Sequence, residues 1–344
     1  MTKRIFPIFT AANSVEIRTE NLNDVAPDQI RVEAIKSGIS AGTEGMWFDG
    51  SAAAIRSGRK TYPYTPGYEF VGRITEIGAN VKANPDDFPR FGKLKEGDRI
   101  FAFKPHASVN DIAERELWVA LEPHVSDENA LAHALSCTCL HAIHRASPSF
   151  GSNAAVFGLG TLGFIMIQLL ASMRASNIVA VTTSENKKQM ALSMGATATV
   201  SLDDLKSGSQ ALSDLGIVLA DTVYECSGST AVLEQTTLMA ANQGEVIATG
   251  FYNDPVVLDG EHLFAKELTV KGVRAAGAAA PKTEYLRWPR DENLKMASGL
   301  VASGDVSIEG LVTHQIKPEE LQKTYEMIRD RSEPYLQILI NWQG

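Results

Sequence analysis

Residues 154–163 read Ala154-Ala155-Val156-Phe157-Gly158-Leu159-Gly160-Thr161-Leu162-Gly163, and Phe164-Ile165-Met166-Ile167-Gln168-Leu169-Leu170 follows at once. An apolar strand-like run, glycines spaced G-x-G-x-x-G and an apolar helix-like run thus succeed one another without a break. The first glycine permits a tight turn, the second lets a backbone approach a pyrophosphate, and the third lets strand and helix pack closely. The helix start offers free amide donors and the positive end of its dipole to an anion. Glycine-rich turns are common, so the motif needs context. A second apolar run at 177–182 supplies it, at the distance a βαβ unit requires. This order implies a dinucleotide-binding unit that holds its cofactor through Gly158, Leu159, Gly160, Thr161, Leu162 and Gly163.

The unit lies mid-chain. At 344 residues the chain exceeds the usual size of one hydrophobic core, so at least two domains are expected. The first third reads as strands: 29–35 and 70–77 alternate with period two, and 97–102 enters a strand through a turn. Asn84-Pro85-Asp86-Asp87 reads as a surface excursion. Residues 127–146 turn helical. After the glycine loop, helices at 187–194 and 230–241 alternate with strands at 221–226, 244–250 and 268–272, the pattern of a parallel sheet covered by helices. The tail carries two helical stretches and a closing strand at 335–340. The fold class is α/β, a doubly wound parallel-sheet domain joined to a β-rich one, divided as 1–133, 134–273 and 274–344.

Apolar residues make up 44% and charged residues 21%, an ordinary globular balance. A net charge of −9 leaves no large positive field for nucleic acid. No stretch approaches the roughly 20 apolar residues of a membrane span. Lys3-Arg4 before Ile5-Phe6-Pro7-Ile8-Phe9 has a leader-like start, but the run is short and broken by Pro7, so an opening strand is expected. The cysteines Cys137, Cys139 and Cys226 make neither a disulfide framework nor a C-x-x-C knuckle. These features suit a cytoplasmic protein.

The layout, with Pro66-Gly67-Tyr68-Glu69-Phe70-Val71-Gly72, Gly97-Asp98-Arg99-Ile100, Glu225-Cys226-Ser227-Gly228 and Lys266-Glu267-Leu268-Thr269-Val270-Lys271-Gly272, resembles the medium-chain dehydrogenase/reductase superfamily over essentially the whole chain. Gly38-Ile39-Ser40-Ala41-Gly42-Thr43-Glu44, Lys104-Pro105-His106-Ala107 and Arg287-Trp288 with Asn293 resemble its zinc-lacking branch around the bacteriochlorophyllide hydroxyethyl dehydrogenases. The resemblance implies a Rossmann domain and a GroES-like catalytic domain completed by the tail. It also implies a nicotinamide cofactor, a small-molecule carbonyl or alcohol substrate, and a homodimer.

An NAD-selective unit places Asp or Glu about 20 residues beyond the glycines, on the ribose hydroxyls. Here that count reaches Thr182, followed by Thr183, Ser184, Glu185, Asn186, Lys187 and Lys188. A 2′-phosphate would be repelled by an acid and welcomed by hydroxyls and an ammonium group. In NADPH-dependent quinone reductases of the superfamily, a lysine resembling Lys187 meets that phosphate. NADP(H) is therefore favoured over NAD(H). Two features leave the choice open: paired lysines also suit the solvated face of a helix, and Glu185 can reach a ribose. Ser227-Gly228 and Thr249-Gly250 follow the next two strands and border the nicotinamide ribose, or else are plain strand-to-helix turns.

Zinc-dependent members hold a catalytic ion where this chain has Ser40, Tyr68 and Cys137. A serine hydroxyl and a phenol are poor Zn²⁺ ligands, and no cysteine precedes Cys137 to build a structural zinc lobe. The expectation is no metal, so proton donors must stabilise the charge that develops on oxygen. Tyr68 is the leading donor, helped by Ser40 or Glu69, with His141 beside the nicotinamide. Each also suits a structural role: Tyr68 as pocket wall, Ser40 in a turn, Glu69 in an ion pair, His141 packed on its helix. Trp47, His106, Tyr252 and Trp288 are candidate pocket residues, although aromatic residues serve packing more often. Three activities remain in play: reduction of a ketone or oxidation of a secondary alcohol, reduction of an activated C=C bond, and cofactor binding without catalysis.

Overall fold

The computed structural model describes residues 3–81, 94–146 and 148–343. The 84–87 excursion lies outside the described residues. The chain opens with β1 (Lys3–Ala11), β2 (Ser14–Asn21), β3 (Gln29–Ile39), α1 (Ala41–Phe48), α2 (Ala53–Arg56), β4 (Glu69–Ile77), β5 (Arg99–Ala102), β6 (Val109–Ala113), β7 (Trp118–Ala120) and α3 (Asp127–Ala130). The middle runs α4 (Ala132–Ala146), β8 (Asn153–Phe157), α5 (Thr161–Ser172), β9 (Asn177–Val181), α6 (Glu185–Ser193), β10 (Ala198–Val200), α7 (Leu202–Lys206), α8 (Ser209–Asp214), β11 (Ala220–Glu225), α9 (Thr230–Met239), β12 (Ala240–Ala248), α10 (Gly260–Ala265) and β13 (Thr269–Gly272). The tail adds α11 (Arg290–Ser303), β14 (Val312–Ile316), α12 (Leu321–Asp330) and β15 (Gln337–Asn341).

Contacts divide the chain into two compact units, 1–134 with 294–344 and 135–293. The stretch 274–293, expected to go with the tail, belongs to the second unit. Its attachments explain why: the Ala276 amide donates to Thr138 Oγ1 at 3.1 Å, and Asn293 Nδ2 donates to the Ala276 carbonyl at 3.3 Å.

In the first unit a seven-stranded sheet runs β14-β15-β3-β4-β5-β7, with β6 paired to β3. Only β14 and β15 pair in parallel. The alternation read at 29–35 and 70–77 becomes β3 and β4, whose Ile30, Val32, Ala34, Phe70 and Ile74 pack into one buried cluster with Ile100 and Trp118. A second cluster joins Phe9 and Phe48 to Leu321, Tyr325, Ile338 and Ile340 from the tail. The run 5–9 lies in β1, which pairs antiparallel with β2.

In the second unit all six strands are parallel, in the order β10-β9-β8-β11-β12-β13. Renumbered from β8, that order is 3-2-1-4-5-6, the doubly wound arrangement. The helix α5 is apolar on nearly every side and is accordingly buried, with Phe164, Ile165, Met166 and Ile167 fully covered. Each such side chain contributes about 1.5–3 kcal/mol of apolar burial. The helix expected over 230–241 stops at Met239, and strand β12 begins at Ala240, earlier than expected. Lys266 Nζ caps the end of α9, donating to the carbonyls of Thr237 at 2.8 Å and Ala240 at 2.9 Å. Among the described residues no helix is long and apolar enough to cross a membrane.

Candidate active site

In a doubly wound sheet a ligand sits outside the carboxyl ends of the strands where the strand order reverses. In the second unit that point lies between β8 and β11, and the glycine loop leaves β8 there. Gly158 has φ +82, and a Cβ on it would press on Ser227. A Cβ on Gly163 would collide with the Gly158 carbonyl, so this glycine sets how closely α5 packs on its strand. A Cβ on Gly160 would meet no neighbouring atom and would project into open space. Gly160 is also the N-cap of α5 and gives no side-chain cap, so the first-turn amides stay free for an anion. The loop therefore fits a pyrophosphate.

Beyond β9, Thr182 Oγ1 accepts the Ser184 amide at 3.2 Å, while Thr183 and Ser184 are exposed. Glu185 is turned along its own helix, 3.3 Å from Lys188 Nζ and accepting from Gln189 at 3.2 Å. Lys187, half-buried like its neighbour, differs in its partners: burial alone pushes its pKa down, and among the described residues no carboxylate pairs with it. A partly dehydrated, unpaired ammonium beside three hydroxyl residues is a fitting seat for a phosphate.

Next along the sheet, the fully buried Glu225 closes β11. Its carboxylate accepts the amides of Ser227 at 2.7 Å and Gly228 at 3.0 Å, and the hydroxyls of Ser227 and Tyr252. Its backbone carbonyl accepts the amides of Thr249 and Gly250, each at 2.9 Å. Ser227, Gly228, Thr249 and Gly250 are thus fixed around one acid. The hydroxyl of Tyr252 is committed there and is not free for a substrate. His141 on α4 has a buried Nδ1 without a partner among the described residues, close to Gly277, and burial followed by Arg145 lowers its pKa. Trp288 stacks on His144 at 4.0 Å, and His144 Nδ1 lies 3.1 Å from Asn293 Oδ1.

In the first unit, Tyr68 precedes β4 and donates to Ser40 Oγ at 2.6 Å. Thr43, one helical turn beyond Ser40, lies near the phenol and opposes the rise of its pKa. Burial and then the nearby Glu69 push the Tyr68 pKa well above the usual range, so the phenol stays protonated. Glu69 itself lies on another contact: Gly38 lacks the Cβ that would collide with its carboxyl, and Gln337 Nε2 donates to Oε2 at 3.2 Å. Its Oε1 has no partner among the described residues, and burial followed by Glu44 raises its pKa, so it reads as a neutral acid. The ion pair considered for it is replaced by this amide contact.

His106 must be corrected as a pocket residue. It is 0% exposed, with Nδ1 2.8 Å from Ser37 Oγ and Nε2 3.0 Å from Glu44 Oε2. Trp47 stacks on Tyr64 at 4.6 Å. Sequence reading missed Thr43, Glu44, Glu225 and Gln337. For Thr43 a signal existed, since a helix starting at Ser40 puts residue 43 on the same face.

Comparison with known proteins fits this geometry. A model of the zinc-binding dehydrogenases matches residues 161–288. L-threonine 3-dehydrogenase of Bacillus licheniformis is 30% identical over 302 residues, spanning 78% of this chain and 79% of the relative. The chain belongs to the zinc-binding dehydrogenase family. This dehydrogenase is also 25% identical to 2-desacetyl-2-hydroxyethyl bacteriochlorophyllide A dehydrogenase of Cereibacter sphaeroides, over 98% of both chains. A putative zinc-binding dehydrogenase from Sinorhizobium meliloti, solved bound to NADP, superposes with a TM-score of 0.77 at 20% identity, covering 99% of this chain and 100% of that one. The protein is an oxidoreductase of the NAD(P)-dependent kind.

The family name raises the question of zinc. Ser40 and Tyr68 are neutral hydroxyls bonded to each other, which leaves Cys137 as the one thiol among the three positions. Zn²⁺ wants thiolate, imidazole or carboxylate. Among the described residues no three His, Cys, Asp or Glu side chains converge. These residues do not fit the metal.

Proposed function

We propose that this dehydrogenase is a zinc-independent NADP(H)-linked enzyme that interconverts a ketone and a secondary alcohol, with Tyr68 as its proton donor and acceptor. The reading rests on the 2.6 Å bond between Tyr68 and Ser40 where zinc-dependent relatives keep metal ligands. Gly158–Gly163 would hold the pyrophosphate, and Thr182, Thr183, Ser184 and Lys187 the 2′-phosphate. Ser227, Gly228, Thr249 and Gly250 would line the ribose side. When bound, the nicotinamide supplies or accepts the hydride.

The protein's part is proton management. As negative charge grows on a carbonyl oxygen, the Tyr68 O–H can transfer its proton there. Ser40 and Thr43 then stabilise the phenolate left behind. A phenol raised by burial stays protonated at neutral pH and lies nearer in acidity to an alcohol, so transfer follows charge development. His141, with its unpartnered Nδ1, is a second polar group for substrate or carboxamide. A homodimer would form along β13, an edge strand whose Val270 is exposed and which follows α10 with its 87% exposed Phe264. Sedimentation of a monomer at micromolar concentration would remove that part.

Incubation with NADPH and matched ketones and enones tests the chemistry. Turnover of ketones should survive chelation, and Tyr68→Phe should lower kcat roughly 100-fold while NADPH binding stays intact. Products reduced only at the alkene, stoichiometric zinc, or a fully active Tyr68→Phe would each defeat it.

A further inference from the structure

Ser40 is the N-cap of α1, a position where serine ordinarily spends its hydroxyl on the helix's own amides. Here it makes no such bond, and its oxygen accepts from Tyr68 instead. Glu44 holds the backbone of the serine at this end of the helix. Its Oε1 accepts the Ser40 amide at 2.8 Å, while its own amide donates to the Ser40 carbonyl at 2.8 Å. Its second oxygen is gripped from the tail, since Tyr325 donates to Oε2 at 2.6 Å, and His106 Nε2 sits 3.0 Å away. His106 is held by Ser37 Oγ at 2.8 Å, which takes the indole N–H of Trp342 at 2.9 Å. Glu44 is 1% exposed, and Ser37, His106 and Tyr325 are 0% exposed, so none of these bonds competes with water.

We infer that Glu44 is a positioning residue: by gripping the Ser40 backbone at both its amide and its carbonyl, it holds the Ser40 hydroxyl as the partner of Tyr68. This rests on the proposed role of Tyr68. A buried carboxylate is costly, and a chain needing only a capped helix could use the serine already present. The cost makes sense if the serine oxygen is required elsewhere. Two of the grips come from β15's flank and α12, so the last part of the chain fixes a hydroxyl near residue 40.

The phenolic proton of Tyr68 reports this bond without any substrate. Its NMR resonance is identified by its disappearance in Tyr68→Phe. Glu44→Leu keeps the volume and removes the acceptor, and is expected to shift the resonance as Ser40→Ala does or lose it to solvent exchange. Glu44→Gln retains an oxygen for the Ser40 amide and should restore it. A resonance unchanged in Glu44→Leu overturns the inference, and so does one equally lost in Glu44→Gln. If Glu44→Leu does not fold, Tyr325→Phe carries the test, because it keeps the ring packed on Phe9 and Phe48 and frees only Oε2. Faster exchange of the Tyr68 proton supports the inference, and an unchanged rate overturns it. NADPH titration of each variant, read by nicotinamide fluorescence, should give an unaltered affinity. A fully active Tyr68→Phe would instead overturn the catalytic reading beneath, whatever the resonance does.

Discussion

Replacing Lys187 by alanine should convert a selective cofactor site into an indifferent one. Two lysines stand side by side, yet only Lys188 has a carboxylate, at 3.3 Å from Glu185. Lys187 has lost part of its water, as its lowered pKa records, without gaining a protein anion. A charge-assisted hydrogen bond to a phosphate is worth about 1.5–3 kcal/mol, or roughly 10- to 150-fold in Kd. NADPH affinity should fall by that factor in Lys187→Ala, and NADH affinity by less than about 2-fold. Lys188→Ala should change either affinity by less than about 2-fold, since an exposed pair contributes little. Titration of both cofactors by nicotinamide fluorescence against all three proteins reads this directly. The preference should also fade as pH rises, and sooner than for an ordinary lysine at 10.5, because burial favours the neutral amine. Equal losses for the two cofactors, or a larger effect at Lys188, would refute the assignment.

Two further perturbations separate binding from folding. Gly160→Ala should leave thermal stability nearly unchanged while weakening NADPH at least about 10-fold, because the new methyl occupies open space before the α5 amides. Gly163→Ala should cost about 1–3 kcal/mol of stability by forcing α5 off its strand, measured by chemical denaturation. An acid-stability experiment addresses His133. Its ring is 1% exposed, stacks on Phe101 at 5.0 Å and donates from Nδ1 to the Ala130 carbonyl, and burial lowers its pKa from 6.5 to about 4. The unfolded chain takes up this proton near pH 6.5 and the folded protein only near pH 4, so stability drops as pH falls through that window. The loss is about 3 kcal/mol, and His133→Gln should remove it from the pH 7 to pH 4 comparison. An unchanged acid slope would show that other groups dominate.

The elements that announced themselves in sequence were those whose signal is local. The period-two alternation of β3 and β4 and the strand–glycine–helix run into α5 each report a repeating environment within a dozen residues. Thr182 at the end of the second strand of the βαβ unit was legible for the same reason. The site of the first unit was less so. Tyr68 and Ser40 could be singled out, but Glu44 with Tyr325, Ser37 with Trp342 and Glu69 with Gln337 are separated by 281, 305 and 268 residues. Nothing local marks such pairs. His106 misled because a histidine between Pro105 and Ala107 reads alike whether it faces a substrate or is locked between a serine and an acid. The division at residue 274 misplaced a segment for a related reason. Its attachment to α4 rests on Thr138 and His144, which meet partners 138 and 149 residues away, and neither contact leaves a compositional trace.

The order in which this chain leaves the ribosome has a consequence for its biogenesis. The parallel-sheet unit is continuous, from residue 135 to 293, and can form while synthesis is still under way. The other unit is interrupted by it. Strand β3 waits for β15, and the acid at position 44 waits for a tyrosine made 281 residues later. Until then one oxygen of Glu44 lacks its tyrosine, one edge of β3 is unpaired, and Phe9 and Phe48 lack the ring of Tyr325. The nascent protein can therefore complete its glycine-loop unit well before the surroundings of Tyr68 and Ser40, and a chaperone would find its client in the opening third of the polypeptide.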